Sequence, residues 1–378
     1  MERVGRITIG SVCDVKTGKL DANASNENGT YPFFTCSKEP LRINTFSYDA
    51  ECVLIAGNGD LNVKYYNGKF DAYQRTYIIT LKTGITNISV RYLFAFFSLY
   101  VETLRRKSIG GVIKYIKLGD ITEAKIPIPP LQEQERIVAE LELLTGIIDK
   151  QKQQLKELDT LAQSIFYDMF GNPVQNEKGW KMKPLKKISS LIVNGNTPKG
   201  GESVYVSDGI MFFRSQNVWR NRINYEDVAF IDADTNATMQ KSVLHRNDIL
   251  ITKTGRINTE NSSLGRAALY EGETGAANIN GHVYLIRLNE GVSHQFVLRI
   301  LIGTEYRDYI RSVCVGGIDK RQINKEHVEE FPIILPPLEL QESFAKKIQS
   351  IESQKESINR SLAESQKLFD YTMDKYFG

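Results

Sequence analysis

The feature that most constrains this chain is a duplicated segment of equal length in its two copies. One copy runs from Pro129 to Gly171 and the other from Pro336 to Gly378; both begin Pro-Pro-Leu and end Phe-Gly. Start and end are displaced by the same 207 residues (129 to 336, and 171 to 378). This period is too long for a solenoid repeat. The offset therefore indicates duplication of a whole module, in which a variable domain precedes a helix of fixed length.

Each copy predicts one long helix. The proline pair fixes an extended start, and Gly146 is the only glycine before the closing Phe-Gly of the first copy. Gly171 suits a left-handed cap and Pro173 prevents continuation. Apolar residues then recur at alternating steps of four and three, which is the period of a coiled-coil seam, weaker in the second copy. The helix starts and seams supply Leu131, Gln134, Ile137, Leu141, Leu144, Ile148, Leu155 and Leu158, and then Leu338, Gln341, Phe344, Ile348, Ile351, Ile358, Leu362 and Phe369.

A helix of about 40 residues is roughly 60 Å long and is not stable alone in water. The economical partner for each copy is the other copy. Related by a pseudo-twofold axis, the two would form an antiparallel coiled coil with a globular domain at each end. The alternative is that both are ordinary helices packed on separate domain cores.

Composition is that of a soluble globular protein, with 41% hydrophobic and 25% charged residues in 378. No apolar run reaches the length of a membrane span, and the chain does not start as a signal peptide does, so we expect a cytoplasmic protein without a membrane contact. The four cysteines are dispersed and no CxxC occurs, which favours reduced thiols over a metal site. Net charge is only +3, but a basic face can be balanced by acidic helices elsewhere.

The chain predicts an α+β architecture of two mixed α/β domains and two helices, with boundaries at 1–128, 129–171, 172–335 and 336–378. Strands are expected at 52–56 and 77–81 in the first domain, followed by a helix over 90–105. The second domain repeats this order, with strands at 248–255 and 282–286 and a helix over 295–310. Landmarks persist while the side chains at the turns differ, which is typical of one scaffold with two specificities.

Taken together, the duplicated Pro-Pro-Leu-x-x-Gln-Glu helices and the segment Asp248 to Gly255 resemble the specificity subunit of a Type I restriction-modification enzyme. The resemblance covers nearly the whole chain. It differs in one respect, because this chain starts directly with the first domain and ends with the second helix. Other members can carry part of the helical region at the N-terminus, so we expect Gly378 to lie where it could join Met1.

This resemblance implies that each globular domain reads one half of a split, asymmetric target in double-stranded DNA, and that the helices set the gap. It implies that two modification (methyltransferase) subunits pack against the helices and that restriction subunits join later. Catalysis and cofactors would belong to those partners: S-adenosylmethionine to the modification subunits, and ATP and Mg to the restriction subunits. The chain itself would be non-catalytic and would hold no cofactor or metal.

Residues that can read DNA are sought at loop ends. Arg and Lys bind guanine, whereas Asn and Gln pair with adenine, although at least half of such contacts go to phosphates. The candidates are Ser37, Lys38, Asn58, Asp60, Tyr65, Tyr66, Gln74 and Arg75 in the first domain, and Arg214, Gln216, Asn217, Trp219, Arg220, Lys253, Thr254, Arg256 and Asn258 in the second. For Tyr65, Tyr66 and Trp219, packing is the better interpretation.

Enzyme signals in the sequence are weak. Asn172-Pro173-Val174 lacks the second proline and the aromatic residue of an adenine-methyltransferase motif, and the glycines near Asn58 form neither a P-loop nor a GxGxxG fingerprint. No nuclease spacing of carboxylates is evident. A stand-alone DNA nuclease or methyltransferase, and a coiled-coil adaptor that binds only proteins, are the alternatives to a DNA-specificity subunit.

Overall fold

The computed structural model of the chain describes residues 5–110, 113–257, 259, 261–317 and 320–378. Two compact units divide the chain: Met1–Gln153 with Ile358–Gly378, and Gln154–Ser357. Each unit therefore combines one globular domain with parts of both long helices.

The first domain is built on a mixed sheet. Strands β1 to β8 are Arg6–Thr8, Cys13–Thr17, Tyr31–Phe34, Leu41–Ile43, Tyr48–Ala56, Val63–Ala72, Thr76–Leu81 and Lys125–Pro127. Helices α1 to α3 are Ile9–Val12, Val90–Lys107 and Leu118–Thr122, with a 3-10 turn at Ala22–Ala24. The main sheet has the order β2-β7-β5-β6-β3-β4, and β1 pairs with β8. The predicted strands at 52–56 and 77–81 and the helix starting at 90 are confirmed.

Strand β5 is central because its second half is apolar on both faces. Residues 52–56 are all buried, and Val53 lies opposite Ile79 on β7 and Tyr65 on β6. One face packs with α2 in a core that includes Leu93 and Phe97. Ser89 caps α2, since its hydroxyl accepts a hydrogen bond from Tyr92 N at 3.3 Å.

The second domain is built from shorter strands. The first long helix, α4, is Leu131–Phe170. Strands β9 to β22 are Met182–Pro184, Ser189–Asn194, Ile210–Phe213, Val218–Trp219, Arg222–Ile223, Ala229–Ile231, Ile249–Thr252, Thr254–Gly255, Ala267–Leu269, Ala277–Ile279, Val283–Leu288, Val315–Gly316, Arg321–Gln322 and Pro332–Ile334. Helices α5 to α9 are Ala233–Ala237, His294–Ile302, Thr304–Val313, Lys325–Glu329 and the second long helix Leu338–Phe377, with 3-10 turns at Leu185–Lys187, Gly201–Val204 and Gln240–Ser242.

Both domains share one strand topology. The sheet order β10-β19-β15-β17 of the second matches β2-β7-β5-β6 of the first. The pair Ile249 and Ile286 repeats the antiparallel register of Val53 and Ile79. Strand β9 pairs with β22 as β1 pairs with β8, and β11 lies parallel to β18 as β3 lies parallel to β6. The predicted duplication is thus confirmed at the level of the fold.

Each long helix is an unbroken 40 residues, as predicted. In the first unit the two helices pack antiparallel, with Arg136 bonded to the Tyr376 hydroxyl and Gln151 to Ser361. In the second unit they are again antiparallel, with Lys355 paired to Asp159 at 2.7 Å and Phe344 against Phe170.

The heptad residues are not equally buried. Those near the N-terminal end of each helix are nearly inaccessible; they are Ile137, Leu141, Leu144 and Ile148, and then Phe344, Ile348 and Ile351. All of these except Leu144 and Ile148 belong to a domain core. The later positions Leu155, Leu158, Ile358, Leu362 and Phe369 are half-buried, because a two-helix pair covers only one side of a seam. The ends of the long helices therefore pack on a domain core, which was the alternative to a coiled coil. The rest of each helix packs against the other long helix.

Buried glutamines explain the Pro-Pro-Leu-x-x-Gln signature. Gln134 is fully buried: its Nε2 donates to Pro129 O and to Asn87 O, both at 2.8 Å, and its Oε1 accepts from Ser89 N at 2.9 Å. Gln341 repeats this, donating to Pro336 O at 2.8 Å and accepting from Ser293 N at 3.1 Å. Each glutamine thus fastens the start of a long helix to the N-terminal cap of a domain helix, Gln134 to that of α2 and Gln341 to that of α6.

All four cysteines are free, and Cys13, Cys52 and Cys314 are buried. Burial raises the pKa of the Cys13 and Cys52 thiols to about 12, so both are protonated packing residues. Arg6 contacts the carbonyl oxygens of Phe377 and Gly378, so Gly378 lies beside the first strand, whereas Met1 lies outside the described residues. Within the described part of the chain, no helix is long and apolar enough to cross a membrane.

Candidate nucleic-acid interface

In the first domain the candidate residues converge on one loop cluster. The β5–β6 loop lies against Arg75, because Gly57 N donates to Arg75 O at 2.8 Å. A Cβ at Gly57 would approach that carbonyl to 2.4 Å, so the contact requires glycine. Asn62 Nδ2 donates to Cys36 O at 2.8 Å and brings in the loop after β3. The residues gathered here, which we call the first loop cluster, are Ser37, Lys38, Asn58, Asp60, Gln74 and Arg75.

The first loop cluster is largely exposed and holds two cations, Lys38 and Arg75, and one acid, Asp60. Lys38 lies 3.8 Å from Asp60, and Arg105 lies 3.7 Å from the same carboxylate. Exposed pairs of this kind contribute little to stability, so Lys38 and Arg105 can leave Asp60 for another anion at low cost. Arg105 was not among the sequence candidates. In the sequence, Arg105 belongs to a basic run at the end of α2. Basic residues there also stabilise the helix dipole, so the run alone does not indicate a binding site.

Tyr65 and Tyr66 lie outside this cluster. The Tyr65 hydroxyl donates to Glu51 at 2.8 Å, and the Arg91 guanidinium lies 4.7 Å from its ring. Burial, followed by the bond to Glu51, raises the pKa of Tyr65. Tyr66 packs on Phe34 and Phe70, with ring centroids 5.1 and 5.6 Å away. Both rings are therefore engaged within the domain.

The second domain holds a turn after β11. Asn217 is 1% exposed; its Oδ1 accepts from Arg214 N at 2.9 Å, and its Nδ2 donates to Asn224 O and Asp227 O. Its amide is committed to the turn, so Asn217 positions the loop and does not offer an edge to a base. An asparagine after a strand serves a turn as well as it serves adenine, so its residue type alone does not separate the two roles.

Arg214 and Gln216 meet at one carboxylate on the rim of this turn. Arg214 lies 3.0 Å from Asp227, and Gln216 Nε2 donates to the same side chain at 3.0 Å. The Gln216 bond and the Arg214 charge lower the pKa of Asp227. Arg214 Nε is buried and bonds to none of the described residues. Two side chains that can read bases are thus held side by side by an exposed acid.

Lys253, Thr254 and Arg256 follow the central strand of the second sheet. Thr254 pairs with Gln322 in the short β16–β21 ladder, and Lys253 lies 5.8 Å from the Tyr284 ring. Arg256 is exposed, while Asn258 lies outside the described residues. Arg321, on the adjacent strand, adds a cation that the sequence reading missed.

Trp219 and Arg220 lie on the β12–β13 hairpin. The Arg266 guanidinium stacks 4.0 Å from the Trp219 ring and Arg222 lies 5.6 Å from it, so Trp219 packs between cations. Arg220 is exposed. Its guanidinium is nevertheless partly desolvated by neighbouring protein atoms, and this, followed by the charges of Arg307, Arg266 and Arg311, lowers the pKa of Arg220.

Exposed leucines at corresponding positions of the two long helices are further candidates for contact with a partner. Leu131 and Leu338, which correspond in the duplication, are 41% and 40% exposed. Leu161 and Leu368 also correspond and are 47% and 52% exposed. The fully buried seam residues cannot meet a partner, whereas these leucines can.

Comparison with known proteins gives a consistent result. The family model described as "Type I restriction modification DNA specificity domain" matches residues 1–160 and 177–365. The EcoDI specificity subunit of Escherichia coli is 35% identical over 157 residues, covering 42% of this chain and 34% of that protein. The MjaVIII specificity subunit of Methanocaldococcus jannaschii is 23% identical over 274 residues, covering 69% of this chain and 63% of that protein. The chain thus spans between a third and two thirds of the length of these relatives.

Solved structures match the fold. The S subunit of a Type I restriction-modification system from M. genitalium superposes with a TM-score of 0.62 at 15% identity, covering 100% of this chain and 97% of that one. A chain from a study of complex assembly in a Type I restriction-modification system gives a TM-score of 0.54 at 19% identity, covering 100% and 98%. At such identities the likeness concerns the fold alone.

Proposed function

Because the chain belongs to the family of Type I restriction modification DNA specificity domains, we propose that it is the DNA-recognition subunit of a Type I restriction-modification complex. Each globular domain reads one half of a bipartite, asymmetric target in double-stranded DNA. One observation carries this proposal: the two domains share a strand topology, yet the loops after their central strands carry different exposed polar side chains. A common frame with different loops suits two different half-sequences.

Loop chemistry supports direct reading of bases in both domains. Lys38 and Arg75 in the first, and Arg214, Gln216 and Arg256 in the second, have the donor groups that recognise guanine and adenine edges in the major groove. The cations of the loops also supply the attraction for phosphates that dominates affinity for DNA.

The long helices serve as the ruler between half-sites. A 40-residue helix is about 60 Å long, and readers on one face of a duplex need a separation of about 34 Å or more. Neither helix contains an internal proline, and both are fastened at their starts by a buried glutamine.

Two modification subunits dock on the helices. The corresponding exposed leucines support this, since a partner that binds one copy of a duplicated surface will find the same residues on the other copy. S-adenosylmethionine belongs to those subunits, and ATP and Mg belong to the restriction subunits that join the complex.

Footprinting of the chain in complex with its modification subunits tests the proposal. Two short, dissimilar blocks of duplex should be protected on either side of an unprotected gap. Arg75→Ala should weaken protection of one block and Arg256→Ala that of the other, so each variant is the control for the other. One continuous protected site would contradict the proposal. Cleavage of DNA or binding of S-adenosylmethionine by the isolated chain would favour an enzyme, and DNA affinity without salt dependence would favour a protein-only adaptor.

A further inference from the structure

The β12–β13 hairpin of the second domain gathers arginines from distant parts of the sequence. Arg220 lies at its tip and Arg222 on β13; Arg266 directly precedes β17, and α7 supplies Arg307 and Arg311. Trp219 lies between two of these guanidinium groups, at 4.0 Å from Arg266 and 5.6 Å from Arg222. We call these five arginines the arginine cluster.

Acidic partners are scarce in the arginine cluster. Arg311 lies 3.3 Å from Asp308, and this is the cluster's only ion pair with a carboxylate among the described residues. Arg266 donates to the backbone oxygens of Ser262 and Asn261. Arg307 Nε is buried and bonds to none of the described residues. Guanidinium groups held together without counter-charges repel one another, which costs stability unless an anion joins them.

The hairpin is held in place before any ligand arrives. Asn221 adopts a left-handed conformation at its tip (φ 63°), and its backbone N donates to Ala267 O at 2.8 Å. The Asn221 Nδ2 group donates to Glu352 of the second long helix at 3.0 Å. Lys355 holds Glu352 at 3.2 Å and Asp159 at 2.7 Å. A cationic tip anchored to a helix is preorganised, so it loses little entropy on binding.

We propose that the arginine cluster is a phosphate clamp that grips the DNA backbone beside the half-site read by the second domain. This proposal rests on the proposed function and separates two roles within the second domain. Arg214 and Gln216 read bases, whereas Arg220 and Arg307 supply affinity that does not depend on the DNA sequence. Arginine binds phosphate through two parallel N–H···O bonds. A DNA strand presents a phosphate about every 3.4 Å of helix axis, so several guanidinium groups held close together can each meet a phosphate.

The clamp is tested by titrating the complex of the full chain and its modification subunits with a random-sequence duplex of about four helical turns and with the target duplex. Each phosphate contact contributes about 0.9 to the slope of log affinity against log salt. When the salt is raised from about 50 to 200 mM, the fall in DNA affinity should therefore be about 3.5-fold smaller for Arg220→Ala than for the wild type. For the double variant Arg220→Ala with Arg307→Ala, it should be about 12-fold smaller. Both duplexes should respond alike.

Matched variants make the result decisive. Arg246→Ala removes an exposed arginine that precedes β15, whereas Arg266 lies at the opposite end of that strand; this variant should keep the wild-type slope. Arg220→Lys retains a point charge and should also keep the slope, whereas Arg214→Ala should relax preference for one half-sequence only. Normal tryptophan fluorescence of each variant shows that the second domain is folded.

Several outcomes would overturn the clamp. A slope unchanged by Arg220→Ala, or a loss confined to the target duplex, would exclude phosphate binding by Arg220. Weaker assembly with the modification subunits at an unchanged DNA slope would assign the cluster to an acidic protein surface. If the wild-type complex itself bound DNA without salt dependence, the proposed function would fail before the clamp was in question.

Discussion

Replacing Gln134 by methionine tests how the long helices are fastened to the domains. Methionine fills a similar volume but can neither donate nor accept the three bonds that Gln134 makes. Asn87 O, Pro129 O and Ser89 N are then left without partners. At about 1.5 kcal/mol for each unmet group, less about 1 kcal/mol for added apolar burial, the loss is about 3.5 kcal/mol.

The duplication supplies a built-in comparison. Gln341 makes two such bonds, to Pro336 O and Ser293 N, and lacks a counterpart of the bond to Asn87. The same reasoning gives about 2 kcal/mol for Gln341→Met. If the free energy of unfolding falls by about 2 kcal/mol per molar urea, the unfolding midpoint should fall by about 1.7 M for Gln134→Met and by about 1 M for Gln341→Met. Gln132 is exposed, and Gln132→Met should change stability by less than about 0.5 kcal/mol.

The two tryptophans, Trp180 and Trp219, both lie in the second unit, so fluorescence reports on that unit and far-UV circular dichroism on both. Gln341→Met should lower the urea midpoint of the fluorescence transition. Gln134→Met should lower chiefly the midpoint of the part of the dichroism transition that does not coincide with fluorescence. The reasoning is refuted if Gln134→Met costs less than about 1 kcal/mol, or if Gln341→Met costs more than Gln134→Met.

Other features make further predictions. Asp248→Ala leaves Arg287 without its ion-pair partner, which lies 2.7 Å away, and should lower the free energy of unfolding in urea by about 3 kcal/mol. The double variant Asp248→Leu with Arg287→Met should recover most of this loss. A double variant no more stable than Asp248→Ala would contradict the ion-pair argument. Leu161→Asp and Leu368→Asp should each reduce the number of bound modification subunits from two to one by mass measurement, and the unmatched exposed Leu143→Asp should not. Adding four residues, about one turn, near Thr160 should lengthen the tolerated gap or abolish DNA binding, and an altered half-sequence would count against the ruler.

Local signals made the fold predictable from sequence. The proline pairs and the absence of later prolines define two helices, and unbroken apolar runs such as residues 52–56 define central strands. The burial gradient along the heptads was not predictable. Leu141 enters a domain core while Leu155 does not, yet both are leucines at the same heptad position.

The candidate interface was predictable only in part, because its residues are chosen by contact and not by type. Sequence order links Lys38, Asp60 and Arg75 to strand ends, and the structure brings them together. Asn217 has the residue type of a base reader but is consumed by its own turn. The arginine cluster is assembled from positions as far apart as 220 and 311, a proximity that no local pattern encodes.

The two domains stabilise the same strand by different chemistry. Cys52 begins the buried part of β5 as a neutral thiol, whereas the equivalent Asp248, directly before β15, is a carboxylate that binds Arg287 through two bonds of 2.9 and 2.7 Å. Both solutions preserve the register with the neighbouring strand. Since the loops at Gly57 and Lys253 follow these strands directly, their starting points are fixed equally in both domains. Differences between the loops therefore arise from their own side chains and not from a shifted frame, which is the condition for changing the DNA sequence that is read while the scaffold stays the same.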